Sequence, residues 1–174
     1  MRRLSLNARL AQDAQATDEI YCALFYITHP DLDKPIRLST DNTVRLSTEP
    51  LMYGTRSTWM GTNPANDPFL FVIASTLLPS DLDDAPAAGN IIIENVDNEI
   101  AKLLRSFTDL ATIHMAVVLA SSPNLIEAEW RNMNIISADL DAGEVMVSFN
   151  REDIGDEYFP SGRMSRERFP GLHK

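Results

Sequence analysis

The chain of 174 residues has one cysteine, Cys22, so no internal disulfide staples it. Lying in the apolar run Ile20 to Ile27, Cys22 reads as a small buried hydrophobe of a protein made in a reducing cytoplasm. Cations are scarce: 15 Lys plus Arg face 25 Asp plus Glu, a formal net charge of −10. Phosphate contacts come largely from Lys and Arg, so this balance excludes the basic footprint of a DNA or RNA binder. It equally disfavours an anionic membrane surface. No window approaches the roughly 18 apolar residues that cross a bilayer, and no membrane anchor is expected. The opening Met1-Arg2-Arg3-Leu4-Ser5-Leu6 starts like a secretory signal, but Asn7, Arg9, Gln12 and Asp13 break the apolar stretch that should follow. There is no Gly-rich phosphate loop, nucleophile elbow or zincin pair.

What is present fits one globular domain: 44% hydrophobic and 23% charged residues are too apolar for disorder, and the length suffices for a core without staples. Leu6, Leu10 and Ala14 recur at helical spacing, so residues 1–18 read as an N-terminal arm or short amphipathic helix. Ile20 to Ile27 is apolar on both faces and reads as a buried strand, forming a hairpin with Ile36-Arg37-Leu38-Ser39 across the turn His29 to Pro35. Residues 47–68 are the least regular, a long polar loop carrying Tyr53, Trp59 and Met60, which is the character of a contact surface. Phe69 to Ala74 reads as another strand with both faces apolar, followed by the acidic connection Ser80 to Pro86.

Asn90 to Val96 is a strand that runs into a helix at 97–107: Asp97 suits the N-cap, and Ile100, Leu103, Leu104 and Phe107 make one stripe that should lie on a sheet. In 112–120 Ile113, Met115, Val117 and Leu119 share one face and Thr112, His114, Ala116, Val118 and Ala120 the other. Ser121 to Asn124 reads as a turn, with strands at Leu125 to Trp130 and Asn132 to Ala138. The turn Asp141-Ala142-Gly143 leads to a last strand with Val145, Val147 and Phe149 inward. About seven strands and one helix indicate a mainly β domain over 19–150, an antiparallel split barrel or sandwich with a flanking helix. Residues 151–174 form a C-terminal extension. Within 160–174, Arg163, Arg166, Arg168 and Lys174 oppose only Glu167, about +3 against about −13 for the rest. With Phe169 as an aromatic anchor, this stretch suits docking on a neighbouring acidic copy or folding back on its own domain.

No constellation announces chemistry. His29 with Asp31 and Asp33 reads as a capped turn before it reads as a metal or acid–base site. His114 reads as a half-buried structural residue. Asp81, Asp83 and Asp84 lack the glycine and distal Glu of a calcium loop, and Asp139, Asp141 and Glu144 fail the same test. Neither cofactor nor metal is expected.

Several segments resemble one family. They are Leu4-Ser5-Leu6-Asn7-Ala8-Arg9-Leu10, Ile27-Thr28-His29-Pro30-Asp31-Leu32 with Pro35-Ile36-Arg37-Leu38-Ser39, and Asp83-Asp84-Ala85-Pro86. Ile93-Glu94-Asn95-Val96-Asp97-Asn98-Glu99-Ile100, Val117 to Pro123 and the ending Arg168-Phe169-Pro170-Gly171-Leu172 continue the series. In this order they resemble, across essentially the whole chain, an uncharacterised domain of unknown function from tailed bacteriophages, encoded beside the tape-measure and tail-tip genes of long, flexible-tailed phages. Such proteins tend to close on an aromatic after that Leu, where this chain has His173-Lys174.

The resemblance implies a virion structural protein and not an enzyme, with a fold like that of phage tail tubes. The implied role is a distal-tail-like ring around the DNA channel between tail tube and tip. The implied partners are further copies in a hexameric ring or a trimer, the tail-tube protein, other tail-tip and hub proteins and the tape measure; DNA passes without specific binding. Alternatives are a trimeric upper hub subunit, an assembly factor absent from the mature virion, and a cell-wall enzyme using His29, Asp31 and Asp33. The residues expected at subunit interfaces are Tyr53, Trp59, Met60, Arg163, Arg166, Arg168 and Phe169. Asp and Glu lining such a channel would repel phosphate.

Overall fold

The computed structural model describes residues 4–79, 88–94, 111–141, 144–150, 168 and 171. The described elements run α1 (Leu6–Asp13), β1 (Tyr21–Thr28), β2 (Ile36–Ser39), β3 (Arg45–Thr48), β4 (Leu51–Thr55), a 3-10 turn (Trp59–Gly61), β5 (Phe69–Phe71) and β6 (Ile73–Leu77). Then follow β7 (Ala88–Glu94), β8 (Thr112–Leu119), β9 (Ser122–Leu140) and β10 (Glu144–Asn150). All ten strands join one sheet in the order β3-β4-β5-β2-β1-β8-β9-β10-β7-β6. Its pairings are antiparallel except β2 with β5. The fold is mainly β, as the sequence indicates. The strand count exceeds seven partly because the start of the irregular stretch 47–68 belongs to a β3–β4 hairpin.

Two long runs roll this sheet. Up to Asn134, β9 pairs with β8; from Asn134 to Leu140 it pairs with β10. Likewise β5 pairs with β2 and β4, while β6, separated from it by Val72 alone, pairs with β7. Two residues of extended chain span at most about 7 Å. β5, third from one end of the hydrogen-bonded order, and β6, at the other end, are therefore close in space. The ladder itself stays open. The product is a split sandwich with β9 and β5–β6 as shared corners.

Burial follows from this roll. In β1 the side chains of Ala23, Phe25 and Ile27 enter an inner core with Leu38, Ile91, Ile93, Ile113, Met115, Val147 and Phe149. Cys22 and Leu24 face the other way into a second cluster with Trp59, Phe69, Ala116 and Val118. Both faces of β1 and β8 are thus buried, which explains the unbroken apolar run at Ile20 to Ile27. The inward placement of Val145, Val147 and Phe149 is borne out.

Two expectations are corrected. The segments Leu125–Trp130 and Asn132–Ala138 are one strand of 19 residues that begins at Ser122, inside the expected turn. The apparent break at Arg131 is an irregularity: register to β8 shifts between Ile113 and Met115, and Asn132 takes φ 55°, which Asn tolerates. Phe69 to Ala74 is divided at Val72, whose N–H donates to Ser39 O at 2.8 Å. The short N-terminal helix is present as α1, capped by Ser5, whose Oγ accepts from Ala8 N at 3.1 Å; Leu6 and Leu10 face solvent and Ala8 is the residue it buries. Its ties to the body are polar: Ser5 N–H donates to Glu127 at 2.6 Å and Tyr21 O–H to Ala8 O at 3.4 Å.

The helix expected at 97–107, the acidic connection 80–86, the tip 142–143 and the extension 151–174, apart from Arg168 and Gly171, lie outside the described residues. Among the described residues no helix is long and apolar enough to cross a membrane.

Candidate interaction surface

Residues 40–68 divide into an anchored half and a projecting half. Trp59 sets the anchor. Ser57 Oγ donates to Pro123 O at 2.7 Å and accepts from Trp59 N at 3.1 Å, while Asn124 Oδ1 accepts from Thr58 N at 2.8 Å. These bonds pin the 3-10 turn on the start of β9. The indole packs 5.8 Å from the Phe69 ring and edge-on to Tyr26 at 6.4 Å, and its N–H donates to Glu129 Oε1 at 2.7 Å. Arg131 Nε donates to the same oxygen at 2.6 Å.

Trp59 is 3% exposed, so it is a core residue and not an exposed contact residue. A Trp in a polar loop looks like an interface anchor. Here β1 and β8 already bury their inner face, and the loop folds over to cover the outer one. Met60, at φ 59°, is half-buried against the same cluster. Tyr53 is exposed, as expected of a contact residue. Arg168 is exposed, and Arg163, Arg166 and Phe169 lie outside the described residues.

The projecting half is the β3–β4 hairpin. Leu51, Met52 and Tyr53 are consecutive in β4 and all exposed, at 59, 37 and 37%. Successive strand residues point to opposite faces, so each face of this ribbon leaves an apolar side chain exposed, while Leu46 of β3 is half-buried. Val44 and Leu70 beside it are exposed as well. The hairpin joins the body through a narrow seam: Gly54 pairs with Leu70, and a Cβ on Gly54 would stand 1.9 Å from Phe69 O. Behind the seam lies a buried polar knot. Asp41 accepts from Thr43 N at 2.8 Å and from Thr55 Oγ1 at 3.2 Å, and Ser39 and Thr55 hydroxyls lie 2.7 Å apart. Nothing in the sequence flagged Asp41, whose partners are its near neighbours Ser39 and Thr43 and, from β4, Thr55.

His29 and His114 each accept a backbone hydrogen bond. His29 Nδ1 accepts from Asp31 N at 3.1 Å, with the Asp31 carboxylate 3.7 Å away, so the capped turn is borne out. His114 is buried on the outer face, 6.0 Å from the Tyr26 ring, and its Nδ1 accepts from Asn132 N at 3.2 Å. Burial lowers its pKa below the ordinary histidine value, Arg131 lowers it further, and Glu129 opposes both. Cys22 is buried as read, its Sγ donating to Val118 O at 3.5 Å; burial, then the Asp41 charge, push the thiol up to about 12. A reactive thiolate is therefore not offered at neutral pH.

An open cleft of about 360 Å³ is lined by Asp18, Glu19, Ile20, Thr43, Ala120 and Ser121. The Ser121 hydroxyl is committed to Glu19 at 2.7 Å. Among the described residues no group of three or more His, Cys, Asp or Glu is placed to hold a metal. No protein-family profile and no curated protein matches the chain.

Proposed function

We propose that the chain is a structural subunit of a siphophage tail tip, forming part of a ring around the DNA channel between tail tube and tip, without chemistry of its own. The observation that carries this reading is the β3–β4 ribbon, which leaves Leu51, Met52 and Tyr53 exposed on its two faces and adds no residue to either described apolar cluster. Exposed apolar surface of this kind is characteristic of protein contacts. A rolled, unclosed sheet supports it further, being the architecture of tube-forming domains. So does the family resemblance of the sequence. The surplus of ten acids suits a channel wall that lets DNA pass by repelling phosphate. Tyr53 and the basic extension with Arg163, Arg166, Arg168 and Phe169 supply contacts to neighbouring copies, the tail-tube protein and the hub.

The test is mass spectrometry and cryo-electron microscopy of purified virions. The expected result is the chain in a closed ring at the tape-measure end of the tube, acids facing the lumen. Three-fold density would move the subunit to the upper hub. Absence from virions would make it an assembly factor, and a neutral lumen would remove the channel argument.

A further inference from the structure

A ring closes only through a heterologous interface, in which one patch meets a different patch on the next copy. The hairpin is one patch. The sheet carries a second on the outer face of β6, β7 and β10. Register places Ile73, Glu94 and Glu144 in one row, Ser75, Ile92 and Met146 in the next, and Leu77, Asn90 and Ser148 in a third. Their neighbours in the strands, Ile91, Ile93, Val145 and Val147, are buried inward, so these rows face outward. Ile73, Leu77 and Met146 are exposed at 52, 68 and 40%.

The first row is unusual. Glu94 and Glu144 stand directly opposite each other on neighbouring strands, and neither has an ion pair among the described residues. Like charges in register destabilise a sheet, and a cation from outside would relieve them. The hairpin presents the complement. Arg45 is exposed, lies opposite Tyr53, and donates a 3.3 Å bond from its guanidinium to Thr48 Oγ1, with no ion pair among the described residues.

We infer that the β3–β4 hairpin of one copy docks on the β6–β7–β10 outer face of the next, Leu51 and Tyr53, which share a face with Arg45, covering its apolar rows and Arg45 meeting the Glu94–Glu144 pair. This rests on the ring reading and names the surfaces that make the ring. One hairpin buries less than the roughly 1,200 Å² of a stable binary interface, so association is weak pairwise and gains from closure.

The single native cysteine is buried, so introduced cysteines report cleanly. The full chain carrying both Leu51→Cys and Met146→Cys, oxidised at concentrations where light scattering shows oligomers, is expected to give a covalent ladder beyond dimer. A mixture of the two single variants is expected to stop at dimer. Glu144→Arg is expected to weaken self-association about ten-fold while leaving thermal stability equal or higher, and Arg45→Glu combined with Glu144→Arg to restore it. Oligomers without cross-links, or charge variants that associate like the parent, overturn the docking while the ring stands. A chain monomeric both alone and in virions overturns the ring and the docking together.

Discussion

Trp59 offers the sharpest separation of core from interface. Replacing it by Ala removes the ring from Phe69 and Tyr26 and the N–H from Glu129. A buried Trp→Ala change costs about 3–5 kcal/mol, because lost transfer energy and the residual cavity add. The hydrogen bond to a carboxylate accounts for about 1.5–3 kcal/mol of such a loss. Trp59→Phe keeps most of the packing and is expected to cost only that smaller part. In a chain of this size each kcal/mol moves Tm by about 2–4 °C, so the Ala variant should melt about 6–20 °C lower. Urea titration followed by circular dichroism reads the same difference as a fall in midpoint at unchanged slope, and Trp130 remains as a fluorescent reporter. An interface role predicts the reverse, a normally stable monomer that fails to assemble. A Trp59→Ala variant within about 1 kcal/mol of the parent would refute the burial argument.

Gly54→Ala drives a methyl into Phe69 O, so the seam should open: amide exchange at 44–55 should accelerate while the inner core stays protected, and uniform protection would contradict it. Glu127→Ala removes the acceptor of Ser5 N–H; because a helix of eight residues is marginal alone, exchange should rise across Leu6–Asp13 with little change in global midpoint. The Cys22 pKa is raised from 9.0 to about 12, so above pH 9 the unfolded chain loses a proton that the fold keeps. Stability should therefore fall between pH 9 and 12, and Cys22→Ala should remove that part of the slope. For His114 the shift is downward from 6.5, so the unfolded chain binds the proton first and stability falls as pH drops below 6.5. Its NMR titration midpoint should lie below 6.5, and a value at or above it would contradict the burial of the ring.

Period and composition made the central strands legible. Ile20 to Ile27, Ile36 to Ser39, 112–120 and Val145 to Phe149 could be read because two-sided or alternating apolarity has one explanation in a sheet. The pattern of 112–120 assigned its faces correctly, but alternation alone does not reveal that the second face is covered from outside by residues 57–69. The sequence of β9 reads as two strands because Pro123 and Arg131-Asn132 carry turn-like composition, whereas strand edges and bulges admit the same residues. For α1 the helical period says which residues share a face, not which face meets the body. Trp59 was misplaced for a related reason, since loop residues lack a period from which burial can be read. The Glu94–Glu144 opposition required register, which depends on how β7 and β10 align across 49 intervening residues.

The hairpin is an appendage to a sheet that does not need it. Neither apolar cluster draws a side chain from 42–54, and the corners of the roll are made by β9 and β5–β6. A two-stranded ribbon is marginal in water when it stands alone. Apolar residues on both of its faces add nothing to the stability of the isolated subunit and invite non-specific association. Such a ribbon is physically coherent where a partner covers it. The Asp41 knot then has a clear part: by fixing the hairpin's base through Thr43 and Thr55, it lowers the entropy lost when the ribbon docks. Rigidity at the base and exposure at the tip are together the arrangement of a contact arm.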